Sequence, residues 1–327
     1  MSTFQNLLDN IKDGEQHKIA RIESIKKIES LTQRPLIVYA ANTRRGGFNI
    51  PNTIDDSDIT GFSDLSEGIN SKEIDIFLHS PGGSAESTER IVNLLRENFS
   101  HIRFLIPNAA YSAATMLALC GDEILMDERS TLGPIDPQII IATPQGVTSA
   151  PVQDILDGFE RIRQILKDDP GALGAYLPML QKYDLHIFET CENAKRLAHS
   201  LAQEWLEKYM LKGLPDKKEK AAFIAEKLGE HKEYLSHGRT IGIQRCKELG
   251  LVIKDLRGIP PLREELWRLY CLIEILFDRT PMVKLFENSL GTSWARHFIG
   301  QMVPIPIVPP QEAPVTQPPL QPPKSSI

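Results

Sequence analysis

The chain has 327 residues, of which 41% are apolar, enough to bury one large core or two modest ones. A net charge of −6 and a pI near 5.8 give no support to nucleic acid as a main partner. The longest apolar runs, LIVYAA at 36–41 and IIIA at 139–142, fall far short of the roughly 20 residues a membrane span needs, so no integral membrane segment is expected.

At the start, Phe4, Leu7, Leu8 and Ile11 stand at helical spacing, and Ile19, Ile22, Ile25 and Ile28 recur every three residues. The pattern predicts an amphipathic helical segment over 1–31, packed on its own domain or against a second subunit. Asp9, Lys12, Asp13 and Glu15 break any signal-peptide apolar core, which points to a cytoplasmic protein. Residues 43–73 are polar and turn-rich. Their acidic run (Asp55, Asp56, Asp58, Asp64, Glu67) reads as a solvated face leading into a short helix.

The informative stretch is 74–138. Ile74, Ile76 and Leu78 alternate as in a strand that runs into Pro81-Gly82-Gly83, where paired glycines let backbone amides turn outward. A second short strand, Phe104 to Ile106, breaks at Pro107-Asn108. It is followed by the small residues Ala109, Ala110, Ser112, Ala113, Ala114 and Thr115 and then an apolar helix face. A serine at such a strand-to-helix junction is sterically open and sits near helix amides, which suits a nucleophile whose intermediate is an oxyanion. Residues 130–138 read STLGPIDPQ. His79, just before the Ser-Pro-Gly-Gly turn, lines the site or makes a structural hydrogen bond.

Residues 151–228 read as mainly helical. Stripes run through Ile155, Phe159, Ile162 and Leu166 and through Ala194, Leu197, Ala198, Leu201 and Trp205, with a break at 168–178. Residues 262–277 form a strongly apolar helix, and TSWARHFIG at 292–300 reads as an aromatic docking edge. From Val303 on, nine of 25 residues are proline, a composition that predicts an extended or disordered tail. No HExxH, CxxC, EF-hand, GxGxxG or P-loop pattern occurs, so neither a metal nor a cofactor is expected. Any ATP-driven unfolding would need a separate ATPase. The scattered cysteines (Cys120, Cys191, Cys246, Cys271) read as reduced thiols.

HSPGG at 79–83, AAYSAATMLALCGDEILM at 109–126, STLGPIDPQ at 130–138 and, more faintly, SHGRTIGIQRCKELGLVI at 236–253 resemble the serine dehydrogenase proteinase family. That family is related to the Clp protease subunit and the signal peptide peptidase A group. The resemblance spans about residues 20–255. It implies an α/β Clp/crotonase-type fold of repeated strand-strand-helix units over 32–256; beyond it, the apolar helix at 262–277 predicts a helical C-terminal extension over 257–302. It also implies a homo-oligomer acting on peptides or unfolded segments. Carried over, Ser112 is the nucleophile, His237 the base and Asp136 the group that orients it. Gly82, Gly83 and the amide of Ala113 form the oxyanion hole. The family places glycine two residues after the serine, where this chain has Ala114. Signal peptide peptidases use a lysine base, for which Lys167 and Lys195 are the candidates here. Two other readings stay open: an inactive peptide-binding scaffold of the same fold, and a crotonase-type acyl-CoA enzyme.

Overall fold

A computed structural model describes residues 2–11, 13–45, 50–143, 146–181, 185–230 and 239–299. His237 and the proline-rich tail lie outside the described residues. The first half of the chain forms β1 (Leu36–Ala41), β2 (Glu73–His79), β3 (His101–Leu105), β4 (Ala109–Ala110), β5 (Glu123–Met126), β6 (Thr131–Leu132), β7 (Gln138–Thr143) and β8 (Gly146–Pro151). Between and before them run α1 (Thr3–Asn10), α2 (Gly14–Thr32), α3 (Asp58–Ser66), α4 (Ala85–Asn98) and α5 (Ala113–Leu119). The second half contributes α6 (Val152–Asp168), α7 (Leu173–Leu180), α8 (Leu185–Trp205), α9 (Lys217–Gly229), α10 (Ile243–Leu249) and α11 (Pro260–Arg279). Its strands are β9 (Ile241–Gly242), β10 (Ile253–Asp255), β11 (Met282–Asn288) and β12 (Ser293–His297).

Among the described residues the main sheet has seven strands in the order β10-β5-β3-β2-β1-β11-β12. The first five run parallel, and β11 and β12 are antiparallel additions. Helices cover both faces, so every residue of LIVYAA in β1 is buried. The alternation in β2 sorts its side chains between two layers. Ile74, Ile76 and Leu78 pack with α3, α4, α5, α8 and α9, whereas Phe77 packs with α2 and α11. Asp75, on the strand between them, is fully buried and held bidentately by Arg103 of β3 at 2.6 and 2.7 Å. The N-terminal α1 packs on α11 through Leu7 and Ile11, with Cys271, Leu272 and Ile275 on the other side.

Parallel strands need crossovers, and their carboxyl ends gather the connecting loops on one side of the sheet. The ends of β2 and β3 therefore bring residues 80–84 and 106–112 together. A small second sheet, β4-β6-β9, stands at that edge, and β7 and β8 form a separate hairpin.

Three expectations change. The acidic run at 55–67 is no uniform solvated face: Asp58 is fully buried and accepts from Lys284 at 2.6 Å and from the Tyr39 hydroxyl at 2.9 Å. Lys284 is itself fully buried and also reaches Asp55 at 2.9 Å. Burial raises the Asp58 carboxyl above the usual carboxylate range despite the attraction of Lys284. The break at 168–178 is short, because α7 already begins at Leu173 and carries Pro178 within it. Residues 257–302 are not only helical. β11 and β12 complete the main sheet, so the aromatic segment expected as a docking edge is its edge strand.

Candidate active site

Ser112 stands between β4 and α5 with φ +52° and ψ −121°, a conformation that non-glycine residues rarely adopt. A serine just before a helix ordinarily caps it through its hydroxyl, but Ser112 makes no side-chain cap bond. The side chain is half-buried, and its hydroxyl has no hydrogen bond among the described residues.

Gly82 and Gly83 lie directly against this turn. Gly82 has φ +99°, and a Cβ placed on it would stand 2.5 Å from the Tyr111 carbonyl oxygen and 2.7 Å from Ser112 Cβ. Only glycine allows that approach. Gly83 (φ +157°) is pressed on Ile54, whose backbone oxygen would be 2.2 Å from an added Cβ. Ile54 donates its N–H to Gly82 O at 2.7 Å and accepts from Ser84 N–H at 2.9 Å, a parallel bridge that clamps the loop from one side. Gly83 takes no part in these two bonds, and in a parallel bridge its own N–H faces the opposite side. The loop is stitched to the elbow as well: Ser80 N–H donates to Ala109 O and Tyr111 N–H to Ser80 O, both at 3.0 Å.

A third segment closes on the elbow from 131–137. β6 pairs with β4 in parallel (Ala109 with Thr131, Ala110 with Leu132) and with β9 in antiparallel (Thr131 with Gly242, Leu132 with Ile241). Thr115, on α5, accepts from Gly133 N–H at 2.9 Å, and its hydroxyl lies 2.7 Å from Ala110 O and 3.0 Å from Gly133 O. Asp136 follows, 2% exposed, on a stretch gripped at both ends. Ile135 N–H donates to Leu228 O at 2.9 Å and Val152 N–H to Pro137 O at 3.0 Å.

The structure thus brings Ser112, Ala113, Gly82 and Gly83 into one constellation and buries Asp136 on the neighbouring segment. Lys167 is exposed in the last turn of α6. Lys195 is exposed on α8, with its ammonium 2.8 Å from Gln153 Oε1. Sequence reasoning missed Ile54, which lay in a segment read as a solvated loop, and Thr115, whose hydroxyl looked like one more small residue. A threonine among alanines at the start of a helix was the available signal. The bond partner of Ile54, some 30 residues away, left none.

The sequence model of the family described as "ClpP-like SDH-type serine proteinase" matches residues 8–161. Over that region, just under half of the chain, the sequence resembles this family. The match takes in Gly82, Gly83, Ser112, Ala113 and Asp136 and ends before Lys167, Lys195 and His237. Two uncharacterized proteins of Methanocaldococcus jannaschii are similar. One is 29% identical over 199 residues, 60% of this chain and 56% of that protein. The other is 30% identical over 129 residues, 38% and 45% respectively. The chain spans about half the length of these curated relatives. Among solved structures, two variants of the 1510-N membrane-bound stomatin-specific protease superpose at TM-scores of 0.38 and 0.37, with 17% and 18% identity. Each covers 65% of this chain, and 79% and 75% of the other; the second is in complex with a substrate peptide. A ClpP1 variant from Listeria monocytogenes gives 0.35 with 13% identity, covering 73% and 99%. No helix among the described residues is long and apolar enough to cross a membrane.

Proposed function

We propose that this chain is a member of that family and an active serine endopeptidase that hydrolyses peptides or unfolded segments through an acyl-enzyme on Ser112. The observation that carries the reading is the strained, uncapped Ser112 set against the Gly82-Gly83 loop. A strained backbone at an accessible hydroxyl is retained where the chemistry uses it. In the reaction Ser112 Oγ attacks the scissile carbonyl, and the amides of Gly83 and Ala113 donate to the oxygen that becomes negative. His237 takes the serine proton and returns it to the leaving amine, while Asp136 holds the imidazole in the required tautomer. The chain would work in the cytoplasm as a homo-oligomer, with an ATPase unfoldase as a separate partner where folded proteins are the substrate.

Turnover of an internally quenched, unstructured peptide tests the proposal. Wild type should cleave it, and Ser112→Ala should fall by at least about 10³-fold while melting at a similar temperature. Equal cleavage by both proteins would remove Ser112 from the reaction. No cleavage by either would favour a peptide-binding scaffold.

A further inference from the structure

His79 is the last residue of β2, immediately before the oxyanion loop, and it is fully buried. Its Nδ1 lies 3.1 Å from the carbonyl oxygen and 3.3 Å from the amide nitrogen of Ala109, the first residue of β4 and three before Ser112. Its Nε2 faces Glu274 Oε1 at 3.7 Å and Thr43 Oγ1 at 3.4 Å. Glu274 belongs to α11, beyond the part of the chain that matches the family. One of its oxygens is paired with Arg44 at 2.8 Å. The other is buried without a hydrogen-bond partner among the described residues. One turn earlier, Tyr270 packs edge-on against the imidazole with ring centroids 5.1 Å apart.

We propose that His79 is a positioning residue that locks the oxyanion loop to the nucleophile elbow, and that α11 holds it in register through Tyr270 and Glu274. The inference rests on the peptidase reading of the site. The two backbone strands that must stay fixed relative to each other are those that His79 joins. One leads in a few residues to Gly83 and the other to Ser112. Burial keeps the imidazole neutral at pH 7, with a pKa of about 4, so it offers one donor and one acceptor nitrogen. Either neutral tautomer ties Nδ1 to the Ala109 backbone, donating to its carbonyl oxygen at 3.1 Å or accepting its amide at 3.3 Å, while Nε2 faces the unpartnered Glu274 oxygen at 3.7 Å. A displacement of about 1 Å between nucleophile and oxyanion donors costs on the order of 10²-fold in rate, while substrate binding can stay unchanged.

The test compares wild type, His79→Leu, His79→Asn and Glu274→Gln in their reaction with a fluorophosphonate, separating probe affinity from the rate of acylation. His79→Leu should acylate about 10- to 100-fold more slowly, with affinity within twofold. His79→Asn, whose amide can replace the Nδ1 contact, should recover most of the rate. Should His79→Leu fail to fold, Glu274→Gln keeps shape and removes the charge, and it should be at least about threefold slower. Wild-type rates in the folded variants would overturn the inference, as would equal slowing of the Leu and Asn variants in proportion to lost stability. Hydrogen exchange over 80–83 and 109–112 decides independently of labelling. Faster exchange in His79→Leu, restored in His79→Asn, supports the tie, and unchanged exchange refutes it. An unlabelled wild type would instead count against the serine peptidase reading.

Discussion

Ser112→Gly should abolish peptide cleavage and at the same time raise the melting temperature. Non-glycine residues held at such angles cost about 1–3 kcal/mol, and glycine adopts φ +52°, ψ −121° without that cost. Against the gain stands glycine's larger loss of backbone entropy, roughly 0.5–1 kcal/mol. The hydroxyl has no capping bond to lose. The net expectation is a stabilisation of about 1 kcal/mol alongside a loss of at least about 10³-fold in turnover. Thermal denaturation and peptide hydrolysis on the same preparation check both. A variant that melts below wild type would mean that the elbow is not strained, and the main structural argument for Ser112 would go with it.

Lys284→Met carries the largest expected cost in stability. It leaves Asp58 fully buried with the Tyr39 hydroxyl at 2.9 Å and the Asp55 amide at 3.2 Å as hydrogen-bond donors, but without the cation that pairs it. Removing one member of a buried ion pair costs about 3–5 kcal/mol, a large share of the 5–15 kcal/mol that holds a typical protein folded. The double variant Lys284→Met/Asp58→Asn removes the orphaned charge and should recover at least half of the loss. Denaturant unfolding of the two variants measures this. If the single variant loses less than about 1 kcal/mol, the pair is not buried in solution as described.

How much of this was legible in the sequence follows from the range of the interactions. The strand of Ile74, Ile76 and Leu78, its Pro-Gly-Gly turn and the small-residue elbow are local patterns, and β2, the loop and α5 stand where they predict. Positive φ at Gly82 and Gly83 was implied by residue type alone. The pairing of Asp58 with Lys284 joins residues 226 apart, and a run of acids gives no sign of which member is buried. β11 and β12 were hidden for a similar reason, since their place in the sheet depends on pairing with β1, some 250 residues earlier. His79 was visible as a residue beside the turn, but its tie to α11 was not. Nothing local connects position 79 with Glu274.

The central claim, an activated Ser112, is tested most directly by intact-mass spectrometry after fluorophosphonate treatment of wild type, Ser112→Ala and His237→Ala. A single adduct on wild type that is absent from both variants is the predicted result. An adduct that persists in His237→Ala would move the search for the base to Lys195 or Lys167. A folded wild type that takes no adduct, or an adduct that survives in Ser112→Ala, would contradict the account.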